Sequence, residues 1–313
     1  WYFVLRHGRV GHCQAIKILM KKIIIVTGGA GFVGSNLIEF LSTKTNYQII
    51  SIDNYSSGKK KNHILNTNVK YFKGETKDIN TILLKYKKRI HSLFHFGEFS
   101  RIYQSFNLFD DCINANSIGS KSVFKFCLDN KIKLIYSATS AAFGRNGKDK
   151  NLSPYAHTKA QNIEFLENLK KWFNFKFEII YFYNVYGKRH IRSGEMATVI
   201  GIFEKLYQKN EPLTIVKPGI QTRRFTHIDD TIQVCYEAWK ENKCLHYSIS
   251  NKKSYSIMQV AKMFNCKIKY LPKRKGERYA SALTKMSLNH NIIRKYGRIG
   301  LKDYITSFIN IKN

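Results

Sequence analysis

Tyr155 and Lys159 stand four residues apart in Ser153-Pro154-Tyr155-Ala156-His157-Thr158-Lys159-Ala160, a stretch that opens a helix. At that spacing the two side chains share one helical face, so a phenol and an ammonium can work as a unit. A phenol with a pKa near ~10 is a poor base at neutral pH and needs positive charge beside it. Lys159 can supply that charge, which makes Tyr155 the candidate general acid and base. Upstream, Tyr136-Ser137-Ala138-Thr139-Ser140 brings hydroxyls to the carboxyl end of an apolar strand, where Thr139 can hydrogen-bond a reacting oxygen. In a chain with 19 Tyr and abundant Lys, a Tyr and Lys pair taken alone is as well explained by a solvated surface, so a second motif has to decide.

That motif is Thr27-Gly28-Gly29-Ala30-Gly31-Phe32-Val33-Gly34-Ser35, which spaces Gly28, Gly31 and Gly34 three apart between an apolar strand and an amphipathic stretch. Glycine permits the tight turn and lets backbone approach a pyrophosphate, while the following helix start offers unpaired N–H groups and a positive dipole end. Such spacing is weak evidence until Asp53 is added, nineteen residues after Gly34 at the end of the next strand. A carboxylate there accepts hydrogen bonds from ribose hydroxyls and repels a 2′-phosphate, which favours NAD; Lys59 and Lys60 are the features that speak for NADP. The expected cofactor site comprises Gly28, Gly31, Phe32, Val33, Gly34, Asp53 and Asn54, with Tyr155 and Lys159 at its inner end. An oxidised nicotinamide ring would add positive charge near the phenol.

Short apolar runs alternate with longer amphipathic stretches through the first 185 residues, the pattern of βαβ units around a parallel, doubly wound α/β sheet. Expected strands are Ile23–Thr27, Gln48–Asp53, Val69–Phe72, Ser92–Phe96, Lys133–Ser137 and Phe177–Tyr183, with helices in most intervals. Beyond Gly187 the pattern is less regular, and Pro212, Pro218 and Pro272 punctuate it. The expected division is an extraneous or disordered extension at 1–19, a dinucleotide-binding domain at 20–185 and a smaller C-terminal α/β substrate lobe at 186–313.

The composition narrows the partners. Apolar residues form 43% of the chain, yet no run approaches the ~20 needed to span a bilayer, so no membrane association is expected. The six cysteines are scattered, without C-x-x-C pairs or histidines at ligand spacing, which points to no metal and to a reducing, cytoplasmic compartment. The formal charge of +32 invites a nucleic-acid reading, but Lys is spread along the whole chain rather than gathered on one segment, so no nucleic-acid partner is expected.

From about Met20 to Tyr304 the chain resembles the extended short-chain dehydrogenase/reductases, specifically their nucleotide-sugar epimerase/dehydratase branch. The likeness rests on the glycine turn, Asp53-Asn54, the Tyr155 and Lys159 pair, Tyr183-Asn184-Val185-Tyr186-Gly187, Arg223-Arg224-Phe225-Thr226-His227-Ile228-Asp229-Asp230, and Arg274-Lys275-Gly276-Glu277, in that order. The resemblance implies a Rossmann sheet and an NAD that takes hydride from a sugar carbon and returns it, with Tyr155 moving the hydroxyl proton. It aligns Thr139 with the family's catalytic Ser/Thr and Asn184 with a residue near nicotinamide and sugar. It aligns Arg223 and Arg274 with arginines that hold the substrate diphosphate, a task that suits the guanidinium fork. It also implies a homodimer through helices near Gln104–Asn130 and Tyr155–Trp172; Val123, Phe124, Phe126 and Cys127 could serve that contact or face the sheet.

Relatives that dehydrate or decarboxylate their sugar carry an acid two positions after the catalytic Thr, where this chain has Ala141, preceded by Ser140. Simple epimerisation, of UDP-glucose and UDP-galactose or their N-acetyl forms at C4, is therefore the expected reaction. The rivals are a 4,6-dehydratase or decarboxylase and a non-catalytic nucleotide-binding protein, the latter opposed by the intact Tyr155 and Lys159. Two departures stand out: Glu75 takes the place of an adenine-contacting Asp, and Ser100 that of a cofactor-contacting Lys, with Arg101 beside it as the available substitute. Ser281 aligns with a position where a bulky residue narrows some epimerase pockets, so its small side chain implies room for an N-acetyl group. His95 and His227 are expected to be structural.

Overall fold

The computed structural model describes residues 21–140, 150–273 and 297–311. The extension at 1–19 lies outside the described residues.

Ile23 and Ile25 face one side of strand β1 (Ile23–Thr27), Ile24 and Val26 face the other, and all four are fully buried. A strand that is apolar on both sides belongs inside a sheet covered on both faces, the arrangement that parallel pairing with crossovers provides. The neighbours are β2 (Gln48–Asp53), β3 (Val69–Lys73), β4 (Ile90–His95), β5 (Lys133–Thr139) and β6 (Phe177–Phe182). Short strands β7 (Val185–Tyr186), β8 (Leu213–Val216), β9 (Thr222–Arg224) and β10 (Thr226–His227) follow before the chain returns to the sheet as β11 (His246–Ser248). The seven strands are parallel in the order β11-β6-β5-β4-β1-β2-β3, a Rossmann-like sheet whose order reverses between β1 and β4.

Among the described residues, the α-helices of six or more residues are α1 (Phe32–Lys44), α2 (Ser120–Asp129), α3 (Pro154–Phe173), α4 (Val199–Gln208), α5 (Ile228–Glu241), α6 (Ile257–Lys262) and α7 (Leu301–Asn310). One face of the sheet is covered by α2 and α3 through Val123, Phe124, Phe126, Cys127, Ile163 and Leu166, so the α2 residues considered for a dimer contact face the sheet instead. The other face is covered by α1 and α5 through Leu37, Ile38, Leu41, Ile232 and Cys235. Helix α3 starts where its sequence directs. Ser153 Oγ accepts from Ala156 N–H at 3.1 Å, Pro154 occupies the first turn, and Asn174 ends the helix in the left-handed region. That N-cap fixes the turn carrying Tyr155.

Three expectations shift. Strand β5 runs two residues further than expected, so Thr139 sits on the strand rather than in a loop. The β2–β3 interval holds a 3-10 turn at Lys60–Asn62 instead of a helix, because Ser56, Ser57, Gly58 and neighbouring asparagines favour local turns. The sheet also does not stop at 185: α5 and β11 complete it from the chain's C-terminal part. The smaller lobe packs Phe203, Ile215, Phe225, Phe264, Leu301 and Ile305 around its own core. It pairs β9 with β12 (Ser254–Ser256) and β8 with β13 (Ile268–Leu271).

Helix α1 is tied to both parts. Its Gly34 lies so close to the turn that a Cβ there would meet Gly28 O at 2.2 Å and Gly28 C at 2.8 Å. On its outer side, Glu39 accepts from Arg189 at 2.8 and 2.9 Å and from Lys188 at 2.9 Å, clamping α1 to the segment after β7. The Arg189 hydrogen bond, with Lys188 beside it, draws the Glu39 carboxyl from 4.5 down to about 2.

Gly34→Ala is expected to cost about 2 kcal/mol through overpacking against backbone that cannot move aside, read as a lower urea midpoint at unchanged slope. Because the Glu39 pKa is lower in the folded chain than in the unfolded one, its contribution is present above pH 4.5 and is lost as pH falls toward 2. Acid unfolding curves of wild type and Glu39→Gln should therefore differ at pH 5 and converge near pH 2, within the precision of ~0.5 kcal/mol typical of such comparisons.

Candidate active site

A cleft of about 1170 Å³ runs along the carboxyl ends of the strands, from the glycine turn across β4 and β5 into the smaller lobe. Gly28, Gly31, Phe32, Val33, Gly34, Asp53, Asn54 and Glu75 line one part of it, Thr139, Tyr155 and Lys159 the centre, and Asn184 and Arg223 the far part. The sequence-based cofactor, catalytic and substrate residues that fall within the described residues thus share one cavity. Ala141, Arg274 and Ser281 lie outside the described residues.

The glycine turn lies at one end of the cleft. Gly28 has φ +71° and no room for a Cβ, which would meet Phe96 and Gly97 backbone at 2.8 Å. At Gly31, by contrast, a Cβ would meet only Gly28 O, at 3.1 Å, and the residue lines the cleft at the start of α1, where helix N–H groups suit an anion. Asp53 Oδ2 accepts from Ala30 N–H at 2.9 Å and Oδ1 from Tyr55 N–H at 2.8 Å. Its carboxylate therefore both fixes the turn and lines the cleft, and burial raises its pKa against these backbone hydrogen bonds. Asn54 Nδ2 donates to Glu75 at 3.2 and 3.3 Å, which joins the ends of β2 and β3. These residues fit an adenine dinucleotide.

At the centre, Tyr155 is 9% exposed, between Phe99, Cys112 and Ala156. Burial pushes the phenol up to about 12, a hydrogen bond with Thr139 lowers it, the Glu98 carboxylate raises it, and the Arg101 guanidinium lowers it. Lys159 Nζ donates to Ser137 O at 2.6 Å and to Glu98 Oε2, and lies 4.8 Å from the Tyr136 ring centre. The sequence assigned the positive charge beside the phenol to Lys159 and an oxidised nicotinamide ring; the structure adds a carboxylate against that lysine and a second protein cation on the loop after β4.

Glu98 was missed because it follows β4 in the apolar run Phe96-Gly97-Glu98-Phe99, where no motif marks it. A lone acid among aromatic residues was the available signal, since carboxylates are rarely buried without a partner. Asn116 was missed for a different reason: it lies on a π-helical turn, Asn114–Gly119, which no sequence periodicity reveals. Its side chain accepts from Phe99 N–H at 2.7 Å and donates to Phe99 O at 3.1 Å, which pins the loop that carries Glu98.

In the far part, β9 separates two adjacent arginines. Arg223 lines the cleft, whereas Arg224 turns away to donate to Asn251 O and Lys252 O, as alternation along a strand requires. Asn184, at φ +35°, donates to Arg224 O at 2.8 Å and lines the cleft beside Val185. The two histidines are occupied structurally. Fully buried His95 bridges Thr27 and Ser120 and is held down to about 4 by burial, while His227 caps α5. Among the described residues no helix is long and apolar enough to cross a membrane.

A putative UDP-glucose 4-epimerase from Methanocaldococcus jannaschii is 29% identical over 232 residues, which are 70% of this chain and 74% of that protein. Among solved structures, UDP-glucose 4-epimerase from Thermotoga maritima with UDP-glucose superposes with a TM-score of 0.82 at 24% identity, over 92% of this chain and 97% of the other. A dTDP-glucose 4,6-dehydratase from Streptomyces venezuelae with NAD bound superposes with a TM-score of 0.81 at 17% identity, over 92% and 96%. At these identities the superpositions establish a shared fold and do not choose between reactions. The model of the NAD dependent epimerase/dehydratase family matches residues 24–250, a span that holds the glycine turn, Asp53, Thr139, Tyr155, Lys159 and Arg223, and the chain belongs to that family.

Proposed function

We propose that this chain epimerises a nucleotide-activated hexose at C4, acting on UDP-glucose and UDP-galactose or their N-acetyl forms. The observation that carries the reading is the single cleft in which Thr139, Tyr155 and Lys159 lie between a diphosphate-binding turn and Arg223. NAD, when bound, would supply the hydride acceptor and later donor, with positive charge on its oxidised ring. Gly28, Gly31 and the start of α1 would hold its diphosphate, and Asp53 its adenosine ribose. Two N–H donors of Lys159 are committed to Ser137 O and Glu98, which leaves one of three for the ribose nearest the reaction.

Tyr155, as the phenolate, takes the sugar hydroxyl proton to become the phenol and later returns it, and Thr139 hydrogen-bonds the reacting sugar oxygen. Asn184 and Arg223, together with Arg274 and Ser281, contact the substrate. A second acid or base is what dehydration would require, and Glu98 does not serve as one. Its oxygens accept from Lys159, from Ser120 at 2.7 Å, from Tyr136 at 3.0 Å and from Asn162 at 3.3 Å. Ala141 supplies no carboxylate either.

Exposed Phe109, Ile118 and Trp172, on the two helical segments expected to pair, support a homodimer. Buried free thiols at Cys112, Cys127 and Cys235 support a reducing, cytoplasmic setting.

Purified protein incubated with each UDP-sugar, without added cofactor, is expected to interconvert C4 epimers on chromatography. A product that has lost water or carbon dioxide would replace this reading with the dehydratase or decarboxylase one. Tyr155→Phe should lower kcat about 100-fold or more while nucleotide-sugar binding persists in calorimetry. Arg223→Ala should instead raise KM about 10- to 100-fold, the loss of one charge-assisted contact to phosphate.

A further inference from the structure

We propose that Glu98 is a positioning residue of the reaction, holding Lys159 in a buried ion pair so that Arg101 provides, among the described residues, the uncompensated positive charge at Tyr155. The proposal rests on Tyr155 being the proton-transfer group.

The Lys159 and Glu98 side chains are 4% and 2% exposed. Seen from the phenol, such a pair acts as a dipole rather than a charge, and its pull on a phenolate is largely cancelled. Every oxygen of Glu98 is fixed. Ser120 Oγ donates its proton to Glu98, so it must accept from His95 Nε2–H at 3.0 Å, and Thr27 then donates to Nδ1 at 2.7 Å. Asn162 bridges Glu98, Tyr136 OH at 3.1 Å and Asn116 O at 2.6 Å. The carboxylate therefore cannot swing away from Lys159 without breaking contacts to β5, α2 and α3.

Arg101 is tethered differently. Its Nε and a terminal nitrogen donate to Met196 O and another terminal nitrogen donates to Ser100 O, carbonyl groups that satisfy the guanidinium without neutralising it. Among the described residues, the other groups around the phenol carry little charge. Cys112 is a thiol raised to about 11 by burial, His95 is held down to about 4, Tyr136 is raised well above the usual phenol, and Thr139 is a hydroxyl. Asp111 lines the cleft from the helical segment Phe109–Ile113 but is exposed to solvent.

The test titrates the Tyr155 phenolate in the NAD-loaded protein by tyrosinate difference absorbance against Tyr155→Phe, in wild type, Glu98→Gln and Arg101→Gln, with thermal melting to confirm folding. Glu98→Gln removes negative charge and should lower the phenolate midpoint by about one pH unit, whereas Arg101→Gln should raise it by about as much. The acid limb of kcat against pH should move in the same directions. An unchanged midpoint in either folded variant overturns the assignment, and if Glu98→Gln does not fold, Arg101→Gln decides alone. The titration needs no substrate, so shifted midpoints without sugar turnover would count against the epimerase reading and leave this assignment standing.

Discussion

Parallel pairing imposes the constraint on which the site depends. Strands joined by crossovers must be buried on both faces, so the sheet interior is filled by Ile23, Ile24, Ile25, Val26 and their neighbours and has no place for functional polar groups. All strands end at the same edge, and there the order reverses between β1 and β4. The glycine turn after β1, Asp53 at the end of β2, Glu98 after β4 and Thr139 at the end of β5 are separated in sequence and adjacent in space for that reason.

The polar network at that edge joins structure to chemistry. It begins at Thr27, whose hydroxyl accepts from Phe96 and Gly97 N–H at 3.1 and 3.0 Å and meets His95, and it passes through Ser120 to Glu98 and Lys159. The strand that starts the cofactor turn is thus hydrogen-bonded, through a neutral histidine, to the ion pair beside the phenol. Burying that pair has a desolvation cost, and the additional hydrogen bonds to Glu98 offset part of it. The result is a lysine with one geometry.

The smaller lobe contributes through backbone as much as side chains. Met196 O holds Arg101, Arg224 O holds Asn184, and the Glu39 clamp fixes the segment after β7. Glu204 extends this hold: fully buried, it bonds His190 at 2.7 Å, Arg192 at 2.8 Å and Tyr304 at 2.7 Å, tying the cleft-lining segment to α4 and α7. The far part of the cleft is therefore set in part by contacts between residues 95, 100 and 150 apart in the chain.

The sequence by itself determined the six leading strands, the glycine turn, Asp53 and the pairing of Tyr155 with Lys159. Each is written in local terms: residue type, alternation, a Ser-Pro helix start, or a four-residue spacing. The choice of Arg223 over Arg224 came from the resemblance, since alternation along a strand separates the two without saying which of them meets the cleft. What only the tertiary structure decided is the electrostatics at the phenol and the completion of the sheet by α5 and β11. Glu98 and Lys159 are 61 residues apart, Arg101 and Met196 are 95 apart, and β11 pairs with β6 across the smaller lobe. Charge acts through space rather than along the chain, and burial removes the water that would otherwise screen it, so no reading of local pattern could assign those partners.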